Sequence, residues 1–321
     1  MGILLSDVMA SLERESAGRD FLVISGSVSR DLHKRLTEVL ASDKRNNKCT
    51  LFFTTFGGDP HGGYRIARCL RHNYEHLRVV VPSYCKSAGT LIAICADEIA
   101  LGDLGELGPL DVQVSKPTEL MENSSGLDIM QALQVVRQHA QEVFRQSLMD
   151  IRMGGRLTTK MAGEFASKLA TGVVGPLYSQ IDPNRIGEMQ RAMRIASEYG
   201  KRLDRYASNL KPGALEKLLM GYPSHSFVID RKEAKELFKS VYPLTEAENA
   251  LCRYLSDALS AEKDFGPQLM KSTDSGVTEG IDHEESQNKE GKDDKSDGSR
   301  SVQAGRATNK RAAKKSNARG I

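Results

Sequence analysis

The sequence predicts an α/β protein with a parallel βαβ core, a helical extension and a polar C-terminal tail. Three observations predict it. Short apolar runs alternate with helical periodicity through the first 115 residues, long amphipathic stretches follow from Leu127, and no aromatic residue occurs after Phe265. The expected boundaries are 1–125 for the α/β core, 126–264 for the helical extension with a short returning strand near 225–229, and 265–321 for a disordered charged tail.

Phe21-Leu-Val-Ile-Ser reads as a short buried strand, and a helical pattern runs from Arg30 to about Ser42. Cys49-Thr-Leu-Phe-Phe-Thr-Thr-Phe is a second strand that ends at Gly57-Gly58. Asp59-Pro60 then starts a helix, with Asp as N-cap and Pro in the first turn. Leu77-Arg-Val-Val-Val-Pro is a third strand, Ser87 to Ala96 a short apolar helix, and Glu98-Ile-Ala-Leu a fourth strand. Strand and helix in turn give a parallel layer with right-handed crossovers. Helical periodicity marks Leu127–Met153, Leu157–Ala170 and Asn184–Ala207, with a break at Thr171 to Pro183 where two Gly and two Pro fall. His225-Ser-Phe-Val-Ile reads as a strand leading to a helix capped at Asp230 with Glu233 at the reciprocal position, and another helix runs from about Thr245 to Ala261.

Composition excludes several classes. The 321 residues are 39% hydrophobic, with mean hydropathy −0.41, a deficit that fits a folded body carrying a polar tail. No apolar run approaches the ~18 residues of a membrane span, and the N-terminus lacks the pattern of a secretory signal. Met1-Gly-Ile-Leu-Leu-Ser6 fits the short MGxxxS acylation pattern, which chance produces often. Five dispersed cysteines without a CxxC pair read as reduced thiols in a cytoplasmic protein, neither a disulfide framework nor a zinc site. The tail is polarised: Asp274 to Asp297 holds nine acidic and three basic residues, whereas Arg300 to Ile321 holds seven basic and none acidic. That basic end is a candidate tether for nucleic acid or an acidic partner. Lacking interleaved aromatics for base stacking, it reads more readily as a solubilising tail.

Three loops follow three successive strands, and a parallel sheet places them on one carboxyl edge, where sites of α/β proteins form. They are Phe56-Gly-Gly-Asp-Pro-His-Gly-Gly-Tyr64, Ser83-Tyr-Cys-Lys-Ser-Ala-Gly-Thr90 and Gly102-Asp-Leu-Gly-Glu-Leu-Gly-Pro-Leu-Asp111. The first fails the phosphate-loop pattern, because Gly63 and Tyr64 stand where Lys and Ser/Thr belong, and no GxGxxG fingerprint occurs. No cofactor and no metal is expected. The paired glycines instead free backbone N–H groups for close approach to a ligand, as an oxyanion hole requires. Ser87 sits at a strand-to-helix turn followed by the small residues Ala88 and Gly89, open to an acyl group and at the positive end of a helix; the bland alternative is a capping serine. The GxSxG elbow is not matched, since Cys85 takes the first glycine position.

Taken together, FFTTFGGDPHGGYRIAR and VVVPSYCKSAGTLIAICADEIALGDLGELGPLDVQ resemble the ClpP/crotonase-like serine peptidases, in particular the serine dehydrogenase proteinase family. The resemblance covers about Phe21 to Gln113 and, more weakly, GYPSHSFVIDRKEAKEL near 221–237. It implies a superhelical ClpP/crotonase-like core, Ser87 as nucleophile, and the N–H groups of Gly58 and Ala88 as oxyanion-hole donors. The implied reaction is acyl transfer from a peptide bond to Ser87 followed by hydrolysis. The implied order Ser, Asp, His makes Asp111 the orienting acid and His225 the base. His61, Lys116 and Lys168 remain alternatives for that base, whereas His139 reads as a helix-packing residue and Lys86 as pointing away from the nucleophile. Homo-oligomerisation through the helical portion is implied as well, with peptides or proteins as substrate. Two other readings stand beside it: a catalytically silent oligomeric scaffold that works through its tail, and a crotonase-like acyl-CoA enzyme using the same oxyanion hole.

Overall fold

The computed structural model describes residues 4–110, 113–115, 123–155 and 157–271. Asp111, Lys116 and the charged segments beyond residue 271, including the basic 300–321 stretch, lie outside them.

No element is predicted ahead of Phe21, yet Leu5–Glu15 forms helix α1, burying Leu5, Val8, Met9 and Leu12. The predicted alternation then follows: β1 (Arg19–Ser25), α2 (Arg30–Asp43), β2 (Lys48–Thr54), α3 (Pro60–Asn73), β3 (His76–Val81), β4 (Tyr84–Cys85), α4 (Ala88–Ile94), β5 (Glu98–Leu101) and β6 (Glu106–Leu107). A two-stranded antiparallel ladder of β7 (Gln113–Ser115) and β8 (Asn123–Ser125) precedes three long helices, α5 (Gly126–Gly154), α6 (Thr159–Tyr178) and α7 (Pro183–Ala207). The chain continues through α8 (Ala214–Met220), α9 (Arg231–Leu237), β9 (Val241–Tyr242), α10 (Glu246–Tyr254) and β10 (Phe265–Leu269).

The main sheet has the order β10-β1-β2-β3-β5-β9, and every neighbouring pair except β10–β1 is parallel. Its central strands are apolar on both faces because helices cover both sides, so Leu51, Phe52, Phe53, Val79, Val80 and Val81 are all fully buried. Truncating one of these phenylalanines to Ala would cost about 3–5 kcal/mol. The α/β class is therefore as expected.

Several boundaries differ from the expectation. Phe265–Leu269, assigned to the tail, is a strand: it closes the sheet edge against β1, and Met270 N donates to Phe21 O at 2.9 Å. The strand expected near 225–229 shrinks to a single antiparallel bridge between Ile229 and Leu107, and the returning strand proper is β9. The break expected at Thr171 does not occur there. Helix α6 runs on to Tyr178 with Pro176 inside it, and Asp182 caps α7 through Asn184 N at 2.8 Å.

Two capping features hold as read. Asp59 accepts from the N–H groups of His61 and Gly62 at the start of α3, and Asp230 accepts from Glu233 N at 2.7 Å. The Glu233 carboxylate does not return to the cap, however, but takes Lys217 at 2.6 Å and Tyr222 at 2.7 Å. A full capping box forms instead at Thr245 and Glu248. Glu248 also receives Arg78 from β3 through two bonds of 2.7 and 3.1 Å, which ties α10 to the sheet. Helix α7 packs across α3 and α4, and α5 packs along α6. Among the described residues, no helix is long and apolar enough to cross a membrane.

Candidate active site

The first and second loops meet at the carboxyl edge of β2 and β3. Thr55 bridges Cys85 in parallel fashion, Val28 bridges Gly58, and β4 pairs with β6, so a small second layer forms beside the main sheet. Thr55 N donates to Tyr84 O at 2.8 Å and Lys86 N to Thr55 O at 3.0 Å. These bonds lock the Gly57-Gly58 turn and the Ser87 turn to each other.

Ser87 is the N-cap residue of α4 but does not cap it, since its side chain accepts no bond from the helix. Its backbone has φ +50° and ψ −113°, a conformation that a residue with a Cβ rarely adopts. Such strain, of order 1–3 kcal/mol, persists only where surrounding structure imposes it. Here Gly89 N donates to Lys86 O at 2.8 Å, Thr90 N to Ser87 O at 2.9 Å, and the buried Thr90 hydroxyl to Gly108 O at 2.7 Å. The small residues around Ser87 follow from space: a Cβ at Gly89 would lie 2.5 Å from Thr55 Cγ2. The sharp strand-to-helix turn thus arises without the GxSxG sequence, and leaves a half-buried serine hydroxyl at its apex.

Gly58 adopts φ +142°, open only to glycine, and a Cβ there would lie 2.3 Å from Val28 O. Its position is fixed on both sides, because Val28 N donates to Gly57 O and Asp59 N to Val28 O, each at 2.8 Å. Among the described residues, neither Gly58 N–H nor Ala88 N–H donates to another protein group. Gly57 N–H, by contrast, is spent on Thr55 Oγ1 at 2.9 Å.

The remaining predicted residues are distributed as follows. His225 lies on a half-buried turn in which Phe227 N donates to Ser224 O. That turn is fastened to the serine loop, because Lys86 Nζ donates to Phe227 O at 3.2 Å and Ile229 pairs with Leu107. Lys86 itself is buried and forms an ion pair with Glu106 at 3.0 Å, so its ammonium is turned to β6 and the His225 turn, as the expectation that it points elsewhere requires. His61 is committed differently: its Nδ1 lies 2.8 Å from Tyr199 Oη on α7. Lys168 is an exposed residue of α6. Burial pushes the thiol of Cys85, two residues before Ser87, up to about 12 despite the nearby Lys86 charge, so it stays protonated at neutral pH.

Sequence reasoning missed two features. Phe56 and Tyr84, each just ahead of a glycine or serine turn, form an exposed aromatic pair with ring centroids 4.8 Å apart at the rim of the site. Their alternation out of two buried strands is the signal that would have placed them there. The Tyr199 partner of His61 has no such signal, being 138 positions away in sequence. Among the described residues, no group of three or more His, Cys, Asp or Glu side chains is placed to hold a metal ion.

Residues 31–181 match the family described as ClpP-like SDH-type serine proteinase. Among curated proteins, the chain is 29% identical over 112 residues to uncharacterized protein MJ0137 of Methanocaldococcus jannaschii, and 35% identical over 66 residues to uncharacterized protein MJ1495 of the same organism. These matches cover 35% and 21% of this chain and 39% and 23% of those proteins, so the chain spans well under half the length of either relative. Among solved structures, a serine-to-alanine mutant of the 1510-N membrane-bound stomatin-specific protease aligns over 46% of this chain and 69% of that one, with 16% identity and a TM-score of 0.27.

Proposed function

We propose that this chain, which matches the ClpP-like SDH-type serine proteinase family over residues 31–181, hydrolyses peptide bonds through an acyl-enzyme on Ser87. The observation that carries the reading is the strained backbone of Ser87, whose hydroxyl is left unused as a helix cap beside two backbone donors that are unengaged among the described residues.

In this reading Ser87 Oγ attacks the carbonyl carbon of the scissile bond while a base takes its proton. The N–H groups of Gly58 and Ala88 receive the negative charge that develops on the carbonyl oxygen. Each such donor contributes about a hundred- to a thousand-fold in rate. The amine leaves with a proton from the protonated base, and water then releases the acyl group by the reverse sequence. His225 is the base and Asp111 its orienting acid. The support is that the His225 turn is bonded to Lys86, the residue preceding the nucleophile, whereas the His61 ring is engaged with Tyr199. Phe56 and Tyr84 offer an apolar rim to a substrate side chain. The substrate is a peptide or an unfolded protein segment.

The α5–α6 pair supplies an assembly surface. Phe165, Leu169 and Val173 are exposed at four-residue spacing along α6, an apolar stripe that a second copy of the chain would cover. Hydrolysis of an unfolded protein such as reduced casein tests the proposal. Wild type cleaves it and Ser87→Ala does not; equal cleavage by both would assign the activity elsewhere.

A further inference from the structure

Away from the serine turn, a cleft of about 680 Å³ opens between α2, α3 and α7. Its arginines and histidines are Arg30 and His33 from α2, and His61, Arg65, Arg68 and His72 from α3. Among the described residues, no carboxylate lines it. Asp59, which pairs with Arg30 at 3.5 Å, offsets part of the charge while also capping α3. From His61 to His72 the basic row runs about 16 Å along one helix face. Tyr64 and Tyr199 stack at 4.1 Å with an interplanar angle of 8°, and the Arg68 guanidinium stands 6.0 Å over the Tyr64 ring. The His61–Tyr199 bond fixes the end of this floor.

The positive potential of the cleft rests on its arginines. Burial, and then the Arg65 charge, lower the pKa of His33 below its ordinary value, which favours a neutral ring able to donate or accept a hydrogen bond. Burial raises that of the Cys69 thiol, so no thiolate contributes negative charge at neutral pH. Among the described residues Arg65 and Arg68 form no salt bridge, and guanidinium groups in a concave, tyrosine-floored cleft favour an anion that accepts forked hydrogen bonds, which is the chemistry of phosphoryl oxygens. Arg65 and Arg68 lie only about 4.5 Å apart along the helix axis. Carboxylates on one face of an extended peptide recur only every ~6.6–6.8 Å, so adjacent phosphoryl groups match the spacing better.

We propose that this cleft binds a phosphate-chain ligand, either an inorganic oligophosphate or the triphosphate of a nucleotide, independently of the chemistry at Ser87. Calorimetric titration of the full chain with sodium tripolyphosphate, and in parallel with adenosine triphosphate, tests it. Both arginines are exposed, so the Arg65→Gln/Arg68→Gln variant is expected to keep the wild-type unfolding temperature. Saturable binding is expected in wild type, weakening as salt is raised, with at least about a tenfold loss in that variant and no loss in Ser87→Ala. Equal affinity for the two ligands assigns recognition to the phosphate chain, whereas tighter nucleotide binding adds the tyrosine pair as a platform for the base. Absence of saturable binding in wild type, or binding undiminished in the double arginine variant, would overturn the proposal. The latter result would assign the affinity to another basic segment, such as 300–321.

Discussion

Gly57 stands directly behind Ser87: a Cβ built on Gly57 would lie 2.8 Å from Ser87 Cβ and 3.1 Å from Lys86 O. The first glycine of the pair therefore serves by absence, making room for the strained serine, while the N–H of the second donates to no protein group among the described residues. Gly57→Ala is expected to push the two turns apart and, because Gly57 has φ +112°, to add backbone strain of about 1–3 kcal/mol. A misplacement of about 1 Å at a reacting atom can cost ~100-fold in rate. Measurement of kcat and unfolding temperature should show a loss of activity much larger than the loss of stability. A variant with wild-type kcat would show that the Gly57–Ser87 contact has no bearing on catalysis.

Lys86 is predicted to hold the site together and not to act as base. Its ammonium bonds Glu106, Leu107 O and Phe227 O. Lys86→Met leaves the largely buried Glu106 carboxylate uncompensated, at a cost of about 3 kcal/mol or more. Adding Glu106→Gln removes that charge and should restore part of the stability. Acylation of Ser87 in the folded double variant should persist; its complete loss there would identify Lys86 as the base.

Cys85 lies beside the nucleophile in sequence but is sealed from solvent. With its pKa raised to about 12 by burial, it remains a neutral thiol throughout the range in which a peptidase is assayed. Activity at mildly alkaline pH should survive iodoacetamide. Stoichiometric alkylation of Cys85 with parallel loss of activity would point to a cysteine nucleophile.

The apolar stripe on α6 is predicted to be an assembly contact. Phe165→Asp and Leu169→Asp change exposed positions, so each monomer should fold with stability within roughly 0.5 kcal/mol of wild type. Sedimentation velocity should show a shift towards smaller species. An unchanged distribution in both variants would remove this face from the assembly.

Much of this was legible beforehand. The apolar runs that became β1, β2, β3 and β5 are buried on both faces and carry an unambiguous signal, and Asp59-Pro60 announced α3 by its chemistry. Helix α1 carries a local signal too, since Leu5, Val8, Met9 and Leu12 stand at the helical spacing i, i+3, i+4, i+7. Strand β10 was hidden by its composition: Phe265-Gly-Pro-Gln-Leu looks like the start of a polar tail, and only pairing with β1 makes it a strand. His225-Ser-Phe-Val-Ile illustrates the reverse, where an apolar run finds a strand neighbour only at Ile229 because the sheet edge beside β5 is taken by β9. At the site, the residue types at Gly58, Ser87 and Ala88 were readable, but the inverted φ of Ser87 and the remote Tyr199 depend on tertiary bonds that no local pattern encodes.

The central claim is that Ser87 is an activated nucleophile served by His225. A fluorophosphonate probe read by mass spectrometry tests it most directly, in wild type, Ser87→Ala and His225→Ala. Modification of Ser87 alone, abolished in Ser87→Ala and reduced at least about a hundredfold in His225→Ala, is the predicted result. Folded wild-type protein left unmodified from neutral to alkaline pH would contradict it and leave the fold as a scaffold. Modification of Ser87 at an undiminished rate in His225→Ala would keep the nucleophile and remove the base.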